Sequence, residues 1–235
     1  MENLSLLTYT HSKAKDLHKP FYERILKFFP DMKNIYFTSN EEIEYGKCIV
    51  YNDNDNHSKQ MVDALTQIPT DYIIYSQEDY ILFDYVKVDE LINCLNLLES
   101  DKSIPFIRLI HSGLGNPSVK YNNDFYHIDP NSSYYFSTQI TLWRKSILID
   151  MYNSSNVKMI FDESQNSSHL RAISARGLFS AKKGSRVGNH YNSWIYPYTA
   201  TAIVKGKWNI SEYQKELDEL FSEYDINPLE RGILL

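Results

Sequence analysis

The first 110 residues alternate short apolar runs with amphipathic segments, and this alternation limits the possible folds more than any other feature. The runs that predict strands are 4–10, 34–38, 48–51, 71–75 and 105–110. Helical periodicity is clearest over 88–98, and it also predicts helices over 58–67 and 20–29, with Pro20 in the first turn. Strands that alternate with helices predict a mostly parallel sheet covered on both faces. We therefore expect an α/β, Rossmann-like fold.

The remainder of the chain is less regular. Strand candidates lie near 125–127 and 134–137, and a helix is predicted to begin near Trp143. The last helix is predicted to open with a capping box at Ser211-Glu212-Tyr213-Gln214. Since no linker-like stretch or internal repeat divides the sequence, we predict one domain over residues 1–235, with two halves that meet at about residue 110.

Charge and cysteine content exclude several classes of function. The net charge of −6 argues against nucleic acid as the main partner, because a phosphate backbone requires a basic surface. The apolar stretches are too short to span a bilayer, and Met1 is not followed by a secretory signal pattern. Cys48 and Cys94 show no metal-binding spacing. Reduced thiols and a cytoplasmic location are therefore expected.

The common glycine-rich and hydrolase motifs are absent. Gly113-Leu114-Gly115 lacks the third glycine of a dinucleotide fingerprint, so we interpret it as a loop. The sequence contains no Walker A motif, no Gly-x-Ser-x-Gly elbow and no His-Glu-x-x-His helix. These absences leave P-loop, serine-hydrolase and zinc-protease chemistry without support.

An acidic loop, Gln77-Glu78-Asp79-Tyr80, directly follows the clearest predicted strand. Ligands of open α/β sheets bind at the carboxyl ends of the strands, which also makes Thr8 and Thr10 candidates. Two carboxylates there can hold a divalent cation that neutralises a diphosphate. An exposed acidic turn that begins the next helix is an equally simple interpretation.

A second acidic pair, Asp162-Glu163, is a candidate general base, since such a base must be a carboxylate or histidine that reaches the acceptor hydroxyl. A charged helix start fits the same residues equally well. His190 lies among small, polar and aromatic residues and could contact a metal or a phosphate, although a single histidine is more often structural. Four cations could face phosphates or simply be solvated: Arg171, Arg176, Lys182 and Lys183.

Aromatic residues make up 14% of the chain, and 19 of them are tyrosines. Sugars pack their C–H edges on aromatic faces, and tyrosine hydroxyls bond to sugar oxygens. A tyrosine-rich core and surface would give the same composition, so this feature supports a carbohydrate site only together with other signals.

Four ordered stretches resemble a group of small GT-A-type glycosyltransferase-like proteins. These stretches are 72–80, with its Glu-Asp-Tyr element in place of Asp-x-Asp, 137–145, 161–163 and 202–208. The resemblance implies a GT-A fold, a nucleotide-sugar donor, a carbohydrate or glycan acceptor and a divalent cation, Mn²⁺ or Mg²⁺. It also implies a nucleotide-binding first half and an acceptor-binding second half. The strict Asp-x-Asp spacing is missing here.

The resemblance also implies roles for individual residues. Thr8 and Thr10 would lie near the nucleotide, and Glu78 and Asp79 near the diphosphate, with Asp79 closest to the metal. Gln139 and Trp143 would shape the sugar pocket, and Asp162 or Glu163 would be the base. Two other functions remain open. One is a non-catalytic nucleotide- or sugar-binding module, and the other is a Rossmann-like methyltransferase, against which the lack of a glycine-rich first loop counts.

Overall fold

The computed structural model describes residues 1–112, 119–158, 163–183 and 191–234. The strands in these ranges are β1 Leu4–Tyr9, β2 Ile35–Ser39, β3 Lys47–Val50, β4 Tyr72–Gln77, β5 Phe106–Arg108, β6 His111–Ser112, β7 Phe125–His127, β8 Thr141–Arg144, β9 Leu178–Ser180, β10 Tyr191–Asn192, β11 Ile203–Val204 and β12 Lys207–Trp208. The helices are α1 Lys15–Phe28, α2 His57–Gln67, α3 Val88–Ser100, α4 Lys145–Ser154, α5 Glu163–Ala172, α6 Ile210–Tyr224 and α7 Pro228–Arg231.

Eight strands form the central sheet in the order β3-β2-β1-β4-β8-β5-β9-β7. The pairs from β3 to β4 are parallel, as is β5 with β9, whereas β8 and β7 run antiparallel to their neighbours. Two small antiparallel ribbons, β10 with β6 and β11 with β12, lie outside this sheet. The mostly parallel sheet with helices around it confirms the predicted α/β, Rossmann-like class.

The core has two layers, one on each face of the sheet. Alternate residues of a strand point to opposite faces, so Leu6 and Ile74 pack in one layer while Leu7 and Ile73 pack in the other. Helices α1, α3 and α6 bury their apolar stripes in the first layer, and α2, α4 and α5 bury theirs in the second. Burial on both faces explains why the predicted strands read as continuous apolar runs.

Strand β8 corrects the predicted helix start near Trp143. Residues Thr141–Arg144 are extended between β4 and β5, and α4 begins only at Lys145. The Thr-Leu-Trp sequence suits a strand that is covered on both faces, with Leu142 in one core layer and Trp143 in the other. A four-residue strand is too short to show its period, so sequence alone did not separate it from the helix that follows.

Three smaller predictions were also wrong. Pro20 lies inside α1 rather than in its first turn, because a 3-10 turn at Ser12–Ala14 starts the helical path earlier. Residues 134–137 form turns and bends instead of a strand. The capping box of α6 does not form, since the N-cap residue is Asn209, its side chain makes no capping bond and Ser211 lies within the helix.

The sheet topology brings distant parts of the chain to one edge. Strands β1, β2 and β4 all end at this edge, which we call the carboxyl edge. Because β8 is antiparallel to β4 and pairs Thr141 with Tyr75, β8 begins where β4 ends. The segment that precedes β8 must therefore lie beside the loop that follows β4. Among the described residues, no helix has the length and apolar character needed to cross a membrane.

Candidate functional site

A cleft of about 240 Å³ opens at the carboxyl edge, next to the end of β4. Its lining comes from four parts of the chain: the loop after β4, the segment before β8, the start of α5 and the segment before β11. The lining residues are Gln77, Asp79, Tyr80, Tyr134, Ser137, Thr138, Gln139, Glu163, Thr201 and Ile203. The structure thus brings together Asp79, Gln139 and Glu163, three residues that the sequence had indicated separately.

The acidic loop leaves β4 at its last residue, Gln77. Glu78 and Asp79 are half-buried, and Asp79 faces the cleft. Burial raises the pKa of both carboxyl groups, and the neighbouring Asp79 charge raises the pKa of Glu78 further. The Arg231 guanidinium opposes these shifts at both carboxyls. This pair therefore lacks enough positive charge to stabilise its ionised form fully.

Glu163 is the first residue of α5 and also lines the cleft. Its Oε1 atom accepts a hydrogen bond from the backbone N–H of Thr138, with a donor–acceptor distance of 2.7 Å. Burial raises the pKa of the Glu163 carboxyl, although the Thr138 bond and the Arg108 charge oppose the shift. A half-buried carboxylate with a raised pKa has the properties of a general base.

Gln139 and its neighbours form a hydrogen-bonded wall of the cleft. The Tyr198 hydroxyl donates to Oε1 of Gln139 at 2.6 Å, and the Tyr80 hydroxyl donates to the Thr138 carbonyl at 3.2 Å. The Tyr80 and Tyr198 rings lie 5.0 Å apart. This packing fixes the Gln139 amide, so it can present a defined donor to a ligand.

Two features of the lining are of a kind that functional sites often contain. The Nε2 atom of Gln77 is buried without a hydrogen-bond partner among the described residues. Thr201 has a φ of 58°, in the left-handed region that β-branched residues rarely adopt. Unsatisfied donors and strained backbone cluster at functional sites, where a ligand compensates for them.

The two predicted threonines lie behind the cleft rather than in its lining. Thr8 is fully buried in β1, and its Oγ1 atom has no partner among the described residues. Thr10 is 2% exposed, and its Oγ1 lies 2.9 Å from Nε2 of His18, while the Tyr51 hydroxyl donates to its carbonyl. Both residues therefore shape the end of β1 from inside the fold.

Trp143 is the predicted pocket residue that the structure does not bring to the cleft. It is 1% exposed and stacks on Phe106 with ring centroids 4.4 Å apart, so it packs in the core. Its burial follows from the unpredicted strand β8. Asp162 and His190 lie outside the described residues.

Three of the four cations that were candidates for phosphate contacts make other interactions. Arg171 donates to backbone carbonyls of Pro130 and Ser132. Arg176 pairs with Asp101, and Lys182 pairs with Glu90 at 2.6 Å. Lys183 is exposed.

Sequence reasoning missed Arg231, the cation that lies near the acidic pair. No motif surrounds it, and it follows the last predicted helix by several residues. Thr138 and Tyr198 were also missed, because their contributions depend on which segments meet across the cleft. The Thr138 amide, like any backbone donor, leaves no signal in the sequence.

The sequence matches no protein-family model and no curated protein. Among solved structures, the chain is similar to TarS from S. aureus, with a TM-score of 0.49, 11% identity, and coverage of 97% of this chain and 68% of that one. It is also similar to a CMP:2-keto-3-deoxy-manno-octonic acid synthetase complexed with CTP, with a TM-score of 0.48, 14% identity and coverage of 75% and 88%.

A third similar structure is the mannosyltransferase PcManGT from Pyrobaculum calidifontis in complex with GDP-Man and Mn²⁺. It has a TM-score of 0.44 and 10% identity, and the match covers 74% of this chain and 53% of that one. The fold class of the present chain is defined by its own strand order and directions.

Proposed function

We propose that this protein is a glycosyltransferase that moves a sugar from a nucleotide-sugar donor to a hydroxyl group of a carbohydrate acceptor. The observation that carries the proposal is the convergence of Asp79 and Glu163 in one cleft at the carboxyl edge of the sheet. The two carboxylates come from different halves of the chain, and their place in one cleft allows one to act on the donor and the other on the acceptor. The resemblance to GT-A-type proteins gives independent support at the same residues.

In this proposal Asp79 faces the donor diphosphate. A divalent cation, Mn²⁺ or Mg²⁺, fits the oxygen donors of Asp79 and the adjacent Glu78, and a cation would offset the burial that raises the pKa of both. No group of three or more His, Cys, Asp or Glu side chains suited to a metal occurs in the described ranges. The protein would thus supply one or two carboxylates, and the substrate phosphates would complete the coordination. When bound, the cation stabilises negative charge on the leaving diphosphate.

Glu163 is the proposed general base. Its carboxylate takes the proton of the acceptor hydroxyl while the acceptor oxygen forms a bond to the sugar carbon and the bond from that carbon to the diphosphate oxygen breaks. The products are the glycosylated acceptor, a nucleoside diphosphate and protonated Glu163, which returns its proton to water. A positioned base contributes roughly 10²–10⁴-fold to such a rate. Gln139 is proposed to hydrogen-bond the sugar.

Turnover of a panel of nucleotide sugars, each with and without Mn²⁺ or Mg²⁺, tests the proposal. Nucleoside diphosphate release is measured for the wild type, for Asp79→Asn and for Asp218→Asn, a matched change at an exposed aspartate of α6. We expect Asp79→Asn to abolish release and Asp218→Asn to leave it unchanged, with a cooperative thermal unfolding transition in all three proteins.

Two outcomes contradict the proposal in different ways. Full turnover by Asp79→Asn removes the acidic loop from the mechanism. Tight binding of a nucleotide sugar by the wild type without any release of nucleoside diphosphate instead identifies a binding module.

A further inference from the structure

The described lining of the cleft contains the carboxylates of Asp79 and Glu163 and no lysine or arginine. A diphosphate is itself strongly negative, and bringing it beside a half-buried carboxylate costs free energy unless a positive charge lies close by. If the proposed function holds, the proposed divalent cation supplies part of this positive charge, and a basic group that approaches the acidic loop from outside the lining would supply more.

The C-terminal segment brings such a group to this place. The backbone N–H of Trp208, in β12, donates to the Gly232 carbonyl at 2.9 Å, and the N–H of Leu234 donates back to the Trp208 carbonyl at 2.8 Å. These bonds fix the residues that follow α7 along the β11–β12 ribbon. Ile203, in β11, lines the cleft, so the same ribbon that borders the site also carries the C-terminal segment.

Arg231, the last residue of α7, is held in one orientation by several contacts. Its Nε donates to Oδ2 of Asp16 at 3.0 Å, and its Nη2 donates to Oδ1 of the same carboxylate. Its guanidinium carbon lies 5.8 Å from the centre of the Trp208 ring, and its side chain is 15% exposed. Its Nη1 also donates to the Gly206 carbonyl at 3.5 Å. A guanidinium has five N–H groups, so these contacts together still leave others for a ligand.

Asp16 determines where the guanidinium lies in the fold. It belongs to the first turn of α1, which follows β1 at the carboxyl edge, and β1 is the direct neighbour of β4. Arg231 is therefore anchored near the end of β1, the strand that lies next to β4. The effect of its charge on both acidic side chains, Glu78 and Asp79, agrees with this placement.

We infer that Arg231, oriented by Asp16 and the β11–β12 ribbon, binds the diphosphate of the nucleotide donor. The inference rests on the proposed function and adds a residue to that site. Arg231 is a binding residue for the leaving group, and Asp16 is its positioning residue. The C-terminal segment thereby becomes part of the donor site.

Binding of UDP, GDP, CDP and ADP, each compared with the corresponding nucleoside by calorimetry, tests the inference. Arg231→Gln is expected to weaken the preferred nucleoside diphosphate about 10- to 100-fold, the loss typical of a hydrogen bond to a charged group, and to leave nucleoside affinity unchanged. Arg231→Lys keeps the charge without the fork geometry and should lose less. Thermal unfolding verifies that both variants are folded.

Arg176→Gln is the matched control. Arg176 also pairs with an aspartate, its Nη2 lying 2.9 Å from Oδ2 of Asp101, and it precedes β9, at the sheet edge opposite the cleft. This variant changes the net charge equally and should bind as the wild type does. The inference is overturned, and the proposed function is not, if Arg176→Gln loses as much nucleoside diphosphate affinity as Arg231→Gln, or if Arg231→Gln loses none. A wild type that binds none of the four diphosphates overturns the proposed function as well.

Discussion

The two sides of the sheet are built differently. From β3 to β4 every described pair is parallel, whereas β8 and β7 on the other side run against their neighbours. The parallel side delivers the acidic loop to the carboxyl edge in the ordinary way of α/β folds. The mixed side delivers Gln139 and Glu163 because β8 reverses the chain there. The comparison teaches that the regular side provides the acidic loop at a position common to α/β folds, and that the irregular side provides half of the residues that line the cleft around it.

Glu163→Gln removes the proposed base, which belongs to the mixed side of the sheet, and should have the largest effect on the reaction rate. We expect kcat to fall roughly 10²–10⁴-fold while the donor Kd stays the same, because the amide can still accept the Thr138 bond but cannot take a proton. Steady-state kinetics with Glu99→Gln, an exposed residue of α3, as the control checks this. A normal kcat for Glu163→Gln would show that Glu163 is not the base.

Trp143→Ala tests the core beneath that side. Removing this fully buried ring should lower the free energy of unfolding by about 3–5 kcal/mol, measured by denaturant unfolding. The milder Trp143→Phe should lose less stability and keep donor affinity, since Trp143 packs on Phe106 and not in the cleft. If Trp143→Phe instead lost donor affinity without losing stability, the prediction that Trp143 shapes the sugar pocket would be supported.

The acidic pair of the parallel side predicts a pH dependence of stability. Because the pKa values of Glu78 and Asp79 are raised in the folded state, the folded protein binds more protons than the unfolded chain above the ordinary carboxyl pKa of about 4. The free energy of unfolding should therefore fall as pH rises from there through the raised values, by about 1.4 kcal/mol per unit of raised pKa.

Urea unfolding at several pH values, with the double variant Glu78→Gln/Asp79→Asn for comparison, measures this dependence. The variant should show a flatter profile and exceed the wild type at the alkaline end. Parallel profiles for the two proteins would show that the pair does not titrate in this way.

The smallest expected effect is on stability, and it comes from residues at the starts of two helices, one in each half of the chain. Asn56 caps α2 by accepting a bond from the Lys59 N–H at 2.8 Å, so Asn56→Ala should cost about 1 kcal/mol. Ser211 makes only an exposed bond to Asn209 near the start of α6, so Ser211→Ala should cost less. Equal losses of thermal stability in Asn56→Ala and Ser211→Ala would show that Ser211 caps α6, as the sequence predicts.

Sequence patterns were sufficient where one element carries its own signal. The strand at Tyr72–Gln77 and the helix at Val88–Ser100 follow from apolar runs and helical spacing, and the acidic loop follows from its place after that strand. Patterns failed at β8, whose four residues are too few to show a period, and at α6, where local capping residues were outweighed by the turn before the helix. The functions of individual cleft residues remain proposals.

The sequence by itself determined the alternation of strands and helices, the two-sided burial of the sheet and the position of two carboxylates at the carboxyl edge. Those features depend on the spacing of apolar residues along short stretches of the chain, which can be read directly from the sequence. Only the tertiary structure decided that Glu163 and Asp79 line one cleft, that Trp143 belongs to the core, and that Arg231 pairs with Asp16. Those contacts join residues far apart in the chain, and they depend on strand order and direction rather than on local pattern.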